Sequence, residues 1–220
     1  RLALAISCAA VLSAPPLHAQ PAAPASTAPG AATSATPQDE ARKAEHDKLF
    51  TLFADADARE LALSPLGRLF RGEDENVDRL GDFLTDSQFL ASRTDTRLNL
   101  ALLAAIDRAK LDETDSLAYD VFKYTQERAL AGASDEIRAL TEVRPLNHFF
   151  GLHTFYPQFA SGTGVAPFKT LAHYEDNLKR PDDYIAIIDR AIGKFRQGLK
   201  TGVLETSLTV GIMVSQLDTQ

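Results

Sequence analysis

Zinc-dependent hydrolysis on a helix needs two histidines four residues apart with a glutamate after the first, so that one face carries both ligands and a general base. The five histidines are His18, His46, His148, His153 and His173, and no pair has that spacing. His148 and His153 stand in a segment with Pro145 before them and Gly151 between them. Only an unusual loop geometry would make them joint metal ligands, and structural or surface histidines are the expected reading. Ser161-Gly162-Thr163-Gly164 resembles half of a phosphate-binding loop, but no Lys-Ser or Lys-Thr follows it and no strand pattern precedes it. It reads as a flexible turn. Asp74-Glu75 and Asp182-Asp183 are adjacent carboxylates. Neighbours in sequence do not share a helix face, and Asp182-Asp183 reads as solvated charge at a helix start. No Gly-x-Ser-x-Gly nucleophile elbow occurs. Cys8 is the single cysteine, which excludes an internal disulfide and a cysteine-based zinc site. No catalytic, cofactor-binding or metal-ligating residue is assigned on these grounds.

The stretch from Pro145 to Phe159 is aromatic and follows no period. Loops of this kind line clefts on a scaffold. The plainer reading is a long crossing loop whose aromatic residues anchor it on the core.

The elements that must position these residues are helical. Pro37 suits a first helical turn, with Asp39 and Glu40 at the positive end of the dipole, and Ser64-Pro65 closes a helix over 37–63. Its apolar face is Leu49, Phe50, Leu52, Phe53, Leu61 and Leu63. Gly67, Gly72 and Gly81 break the next stretch into turns and short helical pieces. Asp86-Ser87 offers a cap for a second long helix ending near Lys110, with Leu98, Leu102, Ala105, Ile106 and Ala109 on one face. Asp112 caps a third helix ending at Gly132, whose apolar set is Leu117, Val121, Phe122 and Tyr124. Ser134 starts a short fourth helix that stops before Pro145. Pro181 opens a further helix with the stripe Tyr184, Ile188, Ile192, Phe195 and Leu199, stopped by Gly202. Thr206 or Ser207 caps a last helix through Val210, Met213 and Leu217. Alternation of period two is weak throughout, so the expected class is all-α. The expected architecture is a multi-helix bundle or array with long irregular loops, preceded by a disordered Pro/Ala-rich segment.

Three parts follow along the chain. Leu2–Leu12 is an apolar run too short to span a bilayer, followed by Pro15-Pro16 and Ala19. It reads as a signal peptide over 1–19, which implies export to the periplasm or beyond. Cys8 is an alternative lipid-attachment site, so a cleaved signal and a lipid anchor both stay open. Residues 20–38 are almost wholly Pro, Ala, Ser, Thr and Gly, and form a spacer. Residues 39–220 form the helical domain. The chain begins with Arg1 rather than Met, and the expected N-terminus is a truncated one. Its 220 residues carry a net charge of −7 with no run of Lys and Arg. That argues against nucleic acid and anionic membrane surfaces as partners.

The order of several features is that of a known family. Ser64-Pro65 is followed by Leu102–Asp107, Leu117–Tyr119, Pro145-Leu146-Asn147 and the aromatic loop with Gly151. Then come Phe168–Leu178 with Tyr174-Glu175, Gly198–Val203 and Val214–Leu217. From Lys48 to Gln220 the chain resembles the N-terminal part of the bacterial domain-of-unknown-function 885 family. The resemblance implies a mostly helical, secreted or lipid-anchored protein similar to zinc metallopeptidases, acting on a peptide substrate. The family's His-Glu segment and Pro-Gly-His-His motif lie in a C-terminal half that nothing here matches. Zinc is therefore expected only in that half, and this region is expected to frame one wall of a cleft and to be inactive alone. A stand-alone periplasmic helical binding or scaffold module is the alternative.

Overall fold

The helical expectation holds, and the residues that end each helix show why. The computed structural model describes residues 36–218. The signal and lipid-attachment readings, and most of the spacer, lie outside them. Helix α1 (Pro37–Leu63) begins at a closed capping box: the Thr36 hydroxyl accepts from the Asp39 N–H at 3.2 Å, and the Asp39 carboxylate accepts from the Thr36 N–H at 3.1 Å. This cap starts the folded part slightly before residue 39. Helix α2 (Leu66–Arg71) ends at Gly72, whose φ of 74° is left-handed. An extended strap then leads to α3 (Asp86–Ala104), capped by Thr85 rather than by Asp86 or Ser87. Helices α4 (Glu113–Gly132) and α5 (Asp135–Thr141) start at Asp112 and Ser134 as the sequence predicts. Helix α6 (Leu152–Ala160) forms within the aromatic stretch, and α7 (Leu171–Thr201) and α8 (Ser207–Asp218) complete the fold. No strand occurs among the described residues.

Two boundaries differ from expectation. The second long helix stops at Ala104, and a 3₁₀ turn at Arg108–Lys110 follows. There the buried Glu45 carboxylate accepts from the Asp107 N–H at 2.9 Å, and Asp107 accepts from the Ala109 N–H at 3.2 Å. These local bonds draw the backbone out of the helical ladder. Helix α7 begins at Leu171, ten residues before Pro181, because the Thr170 hydroxyl caps it through the His173 N–H at 3.4 Å. Pro181 therefore lies inside a helix, where it omits one rung of the ladder. Asp182 and Asp183 are correspondingly mid-helix rather than at its start.

The core has two clusters. One joins Leu49 and Leu52 of α1 to Leu103, Ile106 and Leu111, with Phe53, Tyr119 and Phe122 packed against them. The other joins Leu69, Val77, Leu80, Leu152, Phe159, Ala166 and Ile187. Each large apolar side chain sealed this way contributes about 1.5–3 kcal/mol.

The predicted apolar faces are partly displaced. On α3 the buried residues are Asn99 and Leu103, and Leu98 and Leu102 lie outside. On α4, Leu117, Val121 and Tyr124 are exposed, and the buried residue is Asp115. On α7, Ile187, Ala191 and Gly198 turn inward while Ile192 and Leu199 face out. Gly198 marks a close approach: a Cβ there would stand 2.6 Å from the Val203 carbonyl oxygen. The shift on α3 has a specific cause, since polar side chains occupy the seam between α1, α3 and α4. No described helix is long and apolar enough to cross a membrane.

Candidate functional site

The histidines do not assemble. His18 lies outside the described residues. His46 on α1 places Nδ1 2.8 Å from an Asp115 carboxylate oxygen at the start of α4. His173, in the first turn of α7, accepts from the Lys169 N–H at 3.2 Å. His153 is buried in the first turn of α6, with a hydrogen bond to Gln216 of α8. Burial holds its pKa below the ordinary histidine value, and the Gln216 bond opposes this. The Gln216 Nε2 also donates to the His148 carbonyl at 3.1 Å, so one side chain ties the loop to α8. Gly151 makes room for the His153 ring, because a Cβ there would lie 2.6 Å from Nδ1. Among the described residues, no three His, Cys, Asp or Glu side chains are grouped so as to hold a metal ion.

The aromatic stretch divides. Asn147 accepts from the Phe149 and Phe150 N–H groups at 2.8 and 2.9 Å, and this turn pushes both phenyl rings into solvent. Beyond Gly151 the chain becomes helical and reverses its role: Phe159 is fully buried, and Phe155 and Tyr156 pack on the second cluster. The anchoring reading describes its second half, and an exposed aromatic tip describes its first.

Two of the clefts lined by polar side chains have a buried polar residue in the wall, Asn99 in one and Arg180 in the other. The larger, of about 620 Å³, runs between α1, α3 and α4. Two of the carboxylates on its walls are paired, Asp57 with Arg71 at 2.6 and 2.7 Å and Asp95 with Arg59. Arg59 pairs with Asp95 and donates to the Asn99 side-chain oxygen at 2.6 Å. The Asn99 amide nitrogen donates to Gln126 at 3.1 Å.

The smaller cavity, of about 310 Å³, lies between the end of α2, the turn after α6 and the first half of α7. At its wall stands Arg180, only 2% exposed. Its Nε donates to the Val77 carbonyl at 2.8 Å, and no other hydrogen bond joins its guanidinium to a described residue. Burial pushes Arg180 below the ordinary guanidinium pKa, opposed through space by Asp176, Tyr156 and Asp78. Those two carboxylates are already engaged by Lys179, at 3.4 Å for Asp176 and 3.1 Å for Asp78. Leu69, Val77, Val165 and Ala166 supply apolar wall, Glu73, Asp74 and Lys169 supply charge, and the His173 ring lies beside them. Gly164 of the Ser161–Gly164 turn also borders this cavity.

Asp183 fixes the strap that closes the same region. It accepts from Arg79 at 2.7 and 2.8 Å and from the Leu80 N–H at 2.8 Å. Burial raises its pKa, but the Arg79 and backbone bonds outweigh this and hold the carboxyl below its usual range.

Sequence reasoning missed Arg180 and read Asp183 as solvated charge, whereas Arg79 and the Leu80 N–H hold its largely buried carboxylate. A signal for Arg180 existed: it shares a helical register with Tyr184, Ile187 and Ala191, the apolar side of α7. Starting the helix at Pro181 removed Arg180 from that register.

Residues 65–220 match a family model described as bacterial protein of unknown function, DUF885. The match starts later than Lys48, so α1 precedes it although α1 packs with α3 and α4. No curated protein and no solved structure gives a significant match. Because the matched residues make up more than half of the chain, the protein belongs to the DUF885 family of bacterial proteins.

Proposed function

We propose that this region is a helical scaffold that frames one wall of a substrate cleft in an exported, zinc-metallopeptidase-like protein. In this reading it contributes shape and support, and it supplies neither a metal ligand nor a catalytic group. The carrying observation is the bare apolar surface on three helices. Leu117, Val121 and Tyr124 form one exposed stripe on α4. Leu171 and Leu178 project from α7, and Leu208 and Val214 from α8. Isolated domains rarely leave contiguous apolar faces of this kind in water, and further helices laid on them would bury them. The apolar run before Ala19 supports export, with attachment through Cys8 as the second route to the same compartment.

The test combines a hydrophobic dye with metal analysis on the purified chain. Strong dye fluorescence, with less than stoichiometric zinc after dialysis against zinc, is the expected result. One tightly held zinc per chain together with peptide hydrolysis would overturn the scaffold reading. A second reading, a stand-alone helical binding module, is favoured by the second core cluster, which closes around the Arg180 cavity. Weak dye binding with one sharp unfolding transition would select it.

A further inference from the structure

We infer that the cavity walled by Arg180 binds a carboxylate carried on a compact apolar group, as at the carboxyl end of a peptide or in a free amino acid. This does not rest on the scaffold reading and holds equally for a stand-alone module. Arg180 is buried, and its guanidinium meets one carbonyl and no carboxylate among the described residues. Burying a guanidinium without a carboxylate partner is unfavourable. Asp176 and Asp78 act on Arg180 only through space, neither forming an ion pair with it, and Lys179 engages both. With Nε held by the Val77 carbonyl, the Nη donors remain for an incoming group. Their planar fork matches the two oxygens of a carboxylate.

The rest of the cavity limits what the anion can be. Glu73 and Asp74 stand at the same opening, Glu73 held by Arg68 at 2.7 Å and Asp74 lying 3.5 Å from His173. With Glu73 and Asp74 set against Arg180 and Lys169, the lining carries no excess of positive charge, which disfavours a dianion such as phosphate more than a monoanion. Leu69, Val77 and Val165 offer apolar wall to the group next to the carboxylate. About 310 Å³ accommodates a single residue and little more.

The experiment is calorimetric titration of the whole chain with N-acetyl-leucine, its amide, free leucine and inorganic phosphate. N-acetyl-leucine should saturate with a Kd below about 1 mM. The amide, which lacks the carboxylate, should bind at least about tenfold more weakly. Arg180→Met should lower affinity by a similar factor while its circular dichroism stays helical. If that variant does not fold, the contrast between acid and amide in the unaltered chain decides alone. Tighter binding of leucine than of N-acetyl-leucine would identify the free amino acid as the source of the carboxylate, and the reverse would identify a peptide end. Absence of saturable binding by both leucine and N-acetyl-leucine would overturn the inference. So would equal binding of the amide, unchanged affinity in folded Arg180→Met, or tighter binding of phosphate.

Discussion

The α1–α3–α4 seam and the α2–α6–α7 region both bury polar side chains, but they treat them differently. In the seam, Arg59 meets Asp95 and Asn99, Asn99 meets Gln126, Glu45 meets Lys48 and the Asp107 N–H, and Asp115 meets His46. Every one of these groups has a partner from a neighbouring turn or helix. Around α7 the pattern splits. Asp183 is fully engaged by Arg79 and Leu80, whereas three residues earlier Arg180 keeps only the Val77 carbonyl. A closed network holds helices in register, and an open buried donor marks where a ligand completes the structure.

The largest effect that tests this contrast comes from the apolar part of each half. Phe159→Ala should cost about 3–5 kcal/mol and Leu49→Ala about 2–5 kcal/mol, since both side chains are fully buried. Denaturant unfolding measures both. If the halves share one cooperative unit, each substitution lowers a single transition. Separate transitions would show that the two clusters melt independently.

The next effect separates the two buried polar sites directly. Asn99→Ala leaves Gln126 without its partner in the seam and Arg59 with Asp95 alone, and should cost about 1–3 kcal/mol. Arg180→Met removes an unpaired buried charge and replaces it with a side chain of similar length. In the absence of ligand it should change stability by less than about 1 kcal/mol, the lost Val77 bond being offset by relief of desolvation. A loss as large as that of Asn99→Ala would place Arg180 among structural groups and erase the distinction.

Acid should reach the His153 side first. Burial lowers the His153 pKa in the folded chain, so below about pH 6.5 the unfolded chain takes up more protons. Stability is full above that pH and falls as pH drops through it, by at most about 1.4 kcal/mol per pH unit for one proton. Asp183, held below its usual range, acts in a lower window: its contribution is full above about pH 4 and is lost as pH falls further. The urea midpoint of the unaltered chain should therefore decline between pH 7 and 5, and that of His153→Gln should stay closer to level. Equal slopes in the two proteins would exclude His153 as the source.

Much of the fold was legible because helix ends are local. Pro37, Ser64-Pro65, Asp112, Ser134 and Gly202 mark boundaries through caps and breakers that act within a few residues. The faces were less legible, because burial depends on partners distant in sequence. Leu117 and Val121 look like a core stripe, yet α4 turns Asp115 and Phe122 toward α1, where His46 and Phe53 wait. The candidate cavity was least legible of all. Its walls come from the end of α2, the Gly164 turn and α7, and Arg180 becomes visible only when α7 is continued back through Pro181.

The smallest predicted effect lies where the two halves join. The strap over 73–84 belongs to the α7 side, and α3 belongs to the seam. Thr85 stands between them: its hydroxyl donates to the Asp82 carbonyl at 2.8 Å and accepts from the Gln88 N–H at 3.1 Å. One oxygen thus ends the strap and starts the helix. Ser87, the neighbouring cap candidate, donates only to the Thr85 hydroxyl, at 3.1 Å. Thr85→Ala should therefore cost about 1 kcal/mol, as loss of an N-cap does, while Ser87→Ala should stay within about 0.5 kcal/mol, as exposed substitutions do. Thermal unfolding of the two variants decides it. A larger loss from Ser87→Ala would shift the start of α3 into the position read from the sequence, and would detach the strap from the helix it is here seen to initiate.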